Sequence, residues 1–377
     1  MKVAMIGHKR IPSREGGVEI VVEKLAVGMV KRGHQVTAYN RRGKRLYEKD
    51  LSIQAKEQKE YKGVRIVSVP TIDKKSLNAI IYSVAATIKA LFGHYDIIHF
   101  HAEGPCCMIW LPAILHIRTV ATIHGLDWQR AKWGGFATKF LLFSEKMAVK
   151  FADQVIVLSE NNVKYFKDTY DRKVLFVPNG VEKPEVIESV VIREKWRLVK
   201  DGYILFLARL VPEKGLEYLL DAYKQLNTDK KLVIAGGGSH SSEYVEQIKT
   251  QISGNNDIIL TGFVQGEVLQ ELYSNAYIYV LPSDIEGMPL SLLEAMSYGN
   301  CCVVSDIAEN VEVVEDKAYC FKKGSADSLK CVLQHLLENE ELVRAKKETA
   351  STYICEKYDW NRIVDRTLEI YESINGK

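Results

Sequence analysis

The chain has 377 residues, 47% of them apolar and 26% charged, which is too long for one ordinary core and suits two domains that each bury a sheet. No stretch is polar and turn-rich enough to read as disordered, and the most apolar segment, residues 77–92, is interrupted by Asn78, Ser83, Thr87 and Lys89, short of the roughly 18 uncharged residues of a spanning helix. The net charge of +3 conceals an asymmetry: residues 1–178 carry 29 Lys and Arg against 16 Asp and Glu (+13), the remainder 22 against 32 (−10). The basic half reads either as a surface for an anionic partner, such as an acidic membrane or a phosphorylated acceptor, or as solvated lysines on helix faces; with no RNA- or DNA-reading motif beside it, nucleic acid is set aside.

In chain order, the short apolar run at 3–6 ends at Gly7 and is far shorter than a signal-peptide core, so it reads as a first strand. Further β-branched runs follow at 35–39, 64–69, 97–100, 119–123, 154–158 and 174–177, with helices in the gaps, the clearest at 17–31. A charged, structurally weak stretch at 182–200 reads as a linker between an N-terminal domain (1–181) and a C-terminal one (201–360). Strands resume at 203–208, 231–235, 257–261, 278–281 and 301–305, with helices near 215–225, 242–252, 266–275 and 289–298. Helical patterns at 327–356, continuous or broken, and at 361–374 close the chain, the last expected to cross back to the first domain after a hinge at Tyr358-Asp359-Trp360. Such alternation is the signature of mainly parallel sheets with helices on both faces, hence an α/β chain of two Rossmann-like domains. The seven cysteines, an odd number with two adjacent pairs and no C-x-x-C spacing, read as reduced thiols of a cytosolic protein without a zinc site.

Five segments carry functional signals. Gly16-Gly17 stands ahead of the first helix, where it either frees backbone amides that with the helix dipole favour a phosphate or only shapes the turn; the spacing fits neither a dinucleotide fingerprint nor a P-loop. Arg209 and Lys214 project from one loop after the strand at 203–208, at the sheet edge where ligands of parallel sheets bind, placed to neutralise a diphosphate leaving group. Glu286 and Glu294 flank a helix start at Pro289, with the backbone from Gly287 through Met288 to Leu290 crowding one end; the first can reach a sugar hydroxyl and the second a ribose, or the two serve as a helix-dipole carboxylate and a buried-edge carboxylate. No carboxylate or histidine cluster completes a metal site near Asp284 and Glu286. Residues 76–92, preceded by Lys74-Lys75, and 132–151 combine apolar and cationic positions. In the latter, Trp133, Phe136, Phe140, Phe143 and Met147 follow helical spacing beside Lys139, Lys146 and Lys150; both segments read either as helices lying on anionic lipid or as core-facing helices.

Ala208-Arg209-Leu210, Glu213-Lys214-Gly215, Gly236-Gly237-Gly238, Thr261-Gly262-Phe263 and the run E-G-M-P-L-S-L-L-E-A-M-S-Y-G from Glu286 to Gly299 together resemble the retaining glycosyltransferase family 4. The likeness spans essentially the whole chain. Ile11-Pro12, Arg14, Gly16-Gly17 and Glu19 resemble a subgroup of rhamnosyltransferases and capsule or cell-wall glycosyltransferases. The resemblance implies the GT-B fold, with the domains facing across a cleft, and a metal-independent, cofactor-free transfer of a hexosyl or deoxyhexosyl group. The donor is a nucleoside-diphosphate sugar, UDP-linked or dTDP-linked; the acceptor is a glycan or a polyprenyl-diphosphate-linked saccharide, in surface polysaccharide synthesis. It assigns Arg209 and Lys214 to the diphosphate, Glu286 to the sugar, Glu294 to the ribose and His124, in Thr122-Ile123-His124-Gly125, to the sugar near the reacting face. Gly16, Gly17, Phe263, Val264 and Gly287 to Leu290 also line the donor, while Ser159-Glu160 and Asn179-Gly180-Val181 are landmarks before the linker. Met288-Pro289 stands where many members have an aromatic or small residue and then Gly or Pro, so the departure is at Met288. The enzyme is expected in the cytoplasm, peripheral at the inner face of the plasma membrane. The rival readings are a sugar-nucleotide epimerase of the same fold and a non-enzymatic binding protein.

Overall fold

The computed structural model describes residues 1–42, 58–71, 75–129, 134–238 and 242–376, and the chain divides into two units, Met1–Asn179 with Trp360–Lys377, and Gly180–Asp359. Lys74, Lys132 and Trp133 of the two amphipathic segments lie outside the described residues.

The first unit runs β1 (Lys2–Ile6), α1 (Gly17–Lys31), β2 (Gln35–Arg42), β3 (Glu60–Tyr61), β4 (Val64–Pro70), α2 (Lys75–Leu91), β5 (Ile97–His101), α3 (Trp110–Ile114), β6 (Arg118–Ile123), α4 (Phe136–Phe151), β7 (Gln154–Val157), α5 (Glu160–Tyr170) and β8 (Leu175–Phe176). Its sheet has the order β3-β4-β2-β1-β5-β6-β7-β8, parallel except for the β3–β4 hairpin. Val3, Ala4, Met5 and Ile6 are all fully buried, as befits a central parallel strand covered on both faces, which reads as a continuous apolar run rather than an alternation.

The second unit runs α6 (Val191–Trp196), β9 (Tyr203–Leu207), α7 (Leu216–Tyr223), β10 (Lys231–Ala235), α8 (Ser242–Ile252), β11 (Ile258–Gly262), α9 (Glu267–Asn275), β12 (Ile278–Leu281), α10 (Leu290–Ser297), β13 (Cys301–Ser305), α11 (Ala308–Val314), β14 (Tyr319–Phe321), α12 (Ala326–Glu338) and α13 (Glu340–Lys357). All its strands are parallel, in the order β11-β10-β9-β12-β13-β14. That is the 3-2-1-4-5-6 order of a Rossmann sheet, with the reversal between β9 and β12; in the first unit it falls between β1 and β5.

Residues 182–200, read from the sequence as a linker, belong to the second unit. Glu271, only 1% exposed on α9, accepts the amides of Val190, Val191 and Ile192 at 2.9–3.0 Å and so satisfies the start of α6, a six-residue helix without a side-chain cap of its own. Its partner lies some 80 residues away, beyond the reach of a local pattern. The pattern at 327–356 breaks at Asn339, the junction of α12 and α13. β14 has three residues, too few to show a period.

The closing helix, α14 (Trp360–Asn375), belongs to the first unit. It buries Ile363, Val364, Thr367, Leu368 and Tyr371 and packs on α1 where Gly28 allows close approach: a Cβ there would lie 2.6 Å from Val364 Cγ2.

Candidate active site

The second unit gathers its polar loops at the reversal point of its sheet. After β9 the chain passes Arg209, turns through Pro212–Lys214 and enters α7 at Gly215. Gly215 has φ +66° and presses on the exit of β12, where a Cβ would sit 2.0 Å from Pro282 O; only glycine combines that left-handed backbone with that contact. Asp284 N donates to Glu213 O at 2.9 Å and Tyr218 Oη to Asp284 Oδ2 at 3.2 Å, so the two strand-end loops are stitched together. The stitching brings Lys214 Nζ onto Glu286 Oε1 in an ion pair whose side chains are only 12% and 8% exposed.

Beyond Glu286, Gly287, Met288 and Pro289 are buried. Pro289 is the N-cap of α10, at φ −77° and ψ 105°, and no side chain caps the helix. Its carbonyl accepts Leu292 N and Leu293 N at 3.1 and 3.2 Å. The start of α10 is therefore an electropositive end beside the Lys214–Glu286 pair. Glu294, one turn in, accepts from Tyr273 Oη at 3.3 Å, and the buried Tyr273 ring stacks on Tyr298 at 5.3 Å. Burial first, then the Glu294 carboxylate, hold the Tyr273 hydroxyl well above its ordinary pKa, so it donates. Leu210 N to Gly237 O (3.1 Å) and Gly236 N to Gly262 O (2.9 Å) tie the ends of β9, β10 and β11 together. This sets Phe263, 51% exposed, and Val264 on the same sheet edge.

The first unit has its own constellation at the β1, β5 and β6 ends. Gly7, at φ +124°, lies so close to β5 that a Cβ would meet His101 O at 2.0 Å. Gly16 caps α1 in extended conformation with no side-chain cap bond. The carboxylate met at this helix start is the chain's own: Glu19, 5% exposed, accepts Lys9 N at 2.9 Å, and its Oε2 lies 2.4 Å from where a Gly16 Cβ would stand. The Gly16-Gly17 turn thus makes room for Glu19. His124 stands half-buried past β6 with Nε2 3.1 Å from His101 Nδ1.

The profile of glycosyltransferase family 4 matches residues 15–183 and that of glycosyl transferases group 1 matches residues 190–353, together most of the chain. The chain belongs to glycosyltransferase family 4. The enzyme is 27% identical to the uncharacterized glycosyltransferase MJ1607 of Methanocaldococcus jannaschii, over 99% of this chain and 98% of that one. It is 24% identical to the UDP-Gal:α-D-GlcNAc-diphosphoundecaprenol α-1,3-galactosyltransferase of Escherichia coli, over 82% and 84%. Anabaena Alr3699/HepE, solved in complex with UDP and glucose, superposes with a TM-score of 0.80 at 17% identity over 99% of both chains. The two Rossmann-like units are those of the GT-B fold.

The structure of this glycosyltransferase brings Arg209, Lys214, Gly287 to Leu290, Glu286, Glu294, Phe263 and Val264 to one edge of one sheet, and His124, Gly16 and Gly17 to the edge of the other. Sequence reasoning missed what surrounds them. Glu286 is Lys214's own partner, 72 residues away in the chain. Glu103, directly after the Phe100-His101-Ala102 end of β5, is fully buried, and burial, followed by the Asp127 and Glu145 carboxylates, raises its pKa well above the ordinary carboxylate range and favours the protonated acid. Glu145 on α4 accepts from Tyr165 Oη at 2.8 Å and Tyr170 Oη at 2.5 Å. The pattern His99-Phe100-His101-Ala102-Glu103, polar at alternate positions of an apolar strand, was the available signal. Among the described residues no group of three or more His, Cys, Asp or Glu stands together to hold a metal ion, and no helix is long and apolar enough to cross a membrane.

Proposed function

We propose that the enzyme moves a hexosyl or deoxyhexosyl group from a nucleoside-diphosphate sugar to a saccharide or polyprenyl-diphosphate-linked acceptor, with retention of anomeric configuration and without a metal. The observation that carries this reading is the Lys214–Glu286 pair at the β9/β12 reversal, next to the uncapped start of α10. An ammonium has three donors, so Lys214 meets a diphosphate while still holding Glu286, and Glu286 keeps an oxygen for a sugar hydroxyl. Arg209, Lys214 and the amides at the start of α10 supply the positive field for the departing diphosphate. Glu294 takes the ribose hydroxyls, and Phe263 and Val264 border the nucleotide. In the transfer the C1–O bond to phosphate breaks with its electron pair going to the diphosphate. The acceptor oxygen bonds to C1 on the same face, and the acceptor's proton passes to the leaving phosphate.

UDP is the preferred carrier, on the strength of the UDP-galactose named for the E. coli relative and the UDP bound by the Anabaena protein; dTDP is the alternative. A thermal-shift series of nucleoside diphosphates and their sugars, with and without EDTA, tests donor and metal together. Selective stabilisation by UDP or dTDP ligands that survives EDTA supports the reading; its loss on chelation overturns metal independence. Conversion of the nucleotide sugar without an acceptor would mark an epimerase instead.

An anionic membrane surface at the inner face of the plasma membrane fits the first unit. Phe92 and Phe136 are 78% and 76% exposed, far more than a core-facing helix leaves, and Ile114 and Phe143 are exposed with them. They belong to or directly follow α2, α3 and α4, which pack side by side, with Lys89, Lys139 and Lys146 exposed alongside. Flotation with anionic but not neutral vesicles is the expected result; failure with both removes this surface from the proposal.

A further inference from the structure

The first unit carries a ladder of imidazoles. His99 and His101 on β5 are fully buried with ring centroids 4.0 Å apart, and His101 and His124 follow at 5.4 Å. His99 is held by Tyr371 Oη on Nδ1 at 2.6 Å and Thr122 Oγ1 on Nε2 at 2.7 Å. Burial drives His99 down to about 3 and His101 well below the ordinary histidine value, so both rings are neutral. A neutral imidazole has one N–H and one lone pair.

Both nitrogens of His101 face a defined partner. Nε2 stands 3.3 Å from Met5 Sδ and Nδ1 stands 3.1 Å from His124 Nε2. A thioether has no proton to give, so the nitrogen facing it is the one that carries the hydrogen. His101 Nδ1 is then the lone-pair nitrogen, and the 3.1 Å contact closes as a hydrogen bond only when His124 Nε2 donates.

We propose that His101, oriented by Met5, is a positioning residue that holds His124 as its Nε2–H tautomer. The lone pair of the neutral His124 ring is thereby assigned to Nδ1, and a hydroxyl that meets that nitrogen must donate to it. A second proton, when His124 takes one, goes to Nδ1 and leaves the bond to His101 intact, so the ring keeps its orientation in both protonation states. The catalytic consequence rests on the assignment of His124 to the sugar made above; the tautomer itself does not.

The test is a long-range proton–nitrogen correlation spectrum of the full chain labelled with ¹⁵N-histidine at neutral pH, with the His124 signals identified by their loss in His124→Gln. The expected spectrum has a protonated, pyrrole-type Nε2 and a pyridine-type Nδ1 for His124. Met5→Leu keeps volume and removes the sulfur, and His101→Leu removes the acceptor; each is expected to shift His124 toward a mixture of tautomers. Transfer kcat should fall roughly tenfold or more at unchanged donor KM, the scale of loss when an outer partner of a working histidine is removed. A pyridine-type Nε2 in the wild type, or a His124 spectrum unmoved in both variants, overturns the proposal. If His101→Leu does not fold, the wild-type and Met5→Leu spectra decide. The expected tautomer with full transfer by His124→Gln refutes the sugar assignment and leaves the tautomer standing.

Discussion

Removing the charge of Lys214 should damage both the fold around the site and the reaction, and a double-mutant cycle separates the two. In Lys214→Met the apolar stem is kept while the ammonium is lost, leaving the Glu286 carboxylate, 8% exposed, without its described partner. Breaking a buried pair from one side costs 3–5 kcal/mol when the remaining charge is fully enclosed; with both groups at the rim of solvent, about 3 kcal/mol is expected. Glu286→Gln keeps shape and costs about 1–2 kcal/mol, because the ammonium has more freedom to reach water. The double variant leaves no unpaired charge and should cost about 2 kcal/mol less than the two singles together, within the range of contacting pairs. Two units need not unfold together, so the measurement is hydrogen exchange over β9, α7 and α10, with nucleotide release assayed on the same samples. Lys214→Met should also lower kcat by about 10²–10³, the loss typical of one preorganised group on developing oxyanion charge. Additive stabilities would refute the pair; a coupled pair with full transfer in Lys214→Met would refute its role on the diphosphate.

Glu294→Ala removes one acceptor of Tyr273, whose hydroxyl also lies 3.3 Å from Ser291 O, so the stability loss should stay near 1 kcal/mol while transfer collapses; a variant with unchanged donor KM and kcat would end its assignment to the ribose. Glu271→Ala strands the three amides of Val190, Val191 and Ile192 and should cost about 3 kcal/mol or more, with protection lost first across α6; donor binding by the folded fraction should be intact, and equal protection in wild type and variant contradicts the capping role. In the first unit burial lowers His8 to about 4 and His99 to about 3, against 6.5 for an unburied ring. Above pH 6.5 both states are neutral and this stability is complete. Below it the unfolded chain binds protons the folded rings refuse, so stability falls by roughly 1.4 kcal/mol per pH unit per ring toward the folded values. Urea midpoints of the first unit should drop between pH 6.5 and 4.5, and less steeply in His8→Gln; identical slopes would refute the contribution of His8.

Much of this protein was legible in the sequence because its information is local. Buried parallel strands write themselves as unbroken runs such as Val3-Ala4-Met5-Ile6, and the loops at their C-terminal ends carry the glycines and charges in fixed order. That was enough to set out two Rossmann-like halves, to place Arg209, Lys214, Glu286, Glu294 and His124 at strand or helix ends, and to identify the family. The tertiary structure decided which of those groups meet. Lys214 and Glu286 are joined because a crossover sets β12 beside β9. Glu271 fixes a segment that looked like a linker, the carboxylate at the start of α1 is Glu19 itself, and His124 owes its partner to the pairing of β6 with the preceding strand, β5. Sequence period reports the face a residue shows, whereas partner choice depends on which strands become neighbours, and that is settled only when the sheet closes around its core.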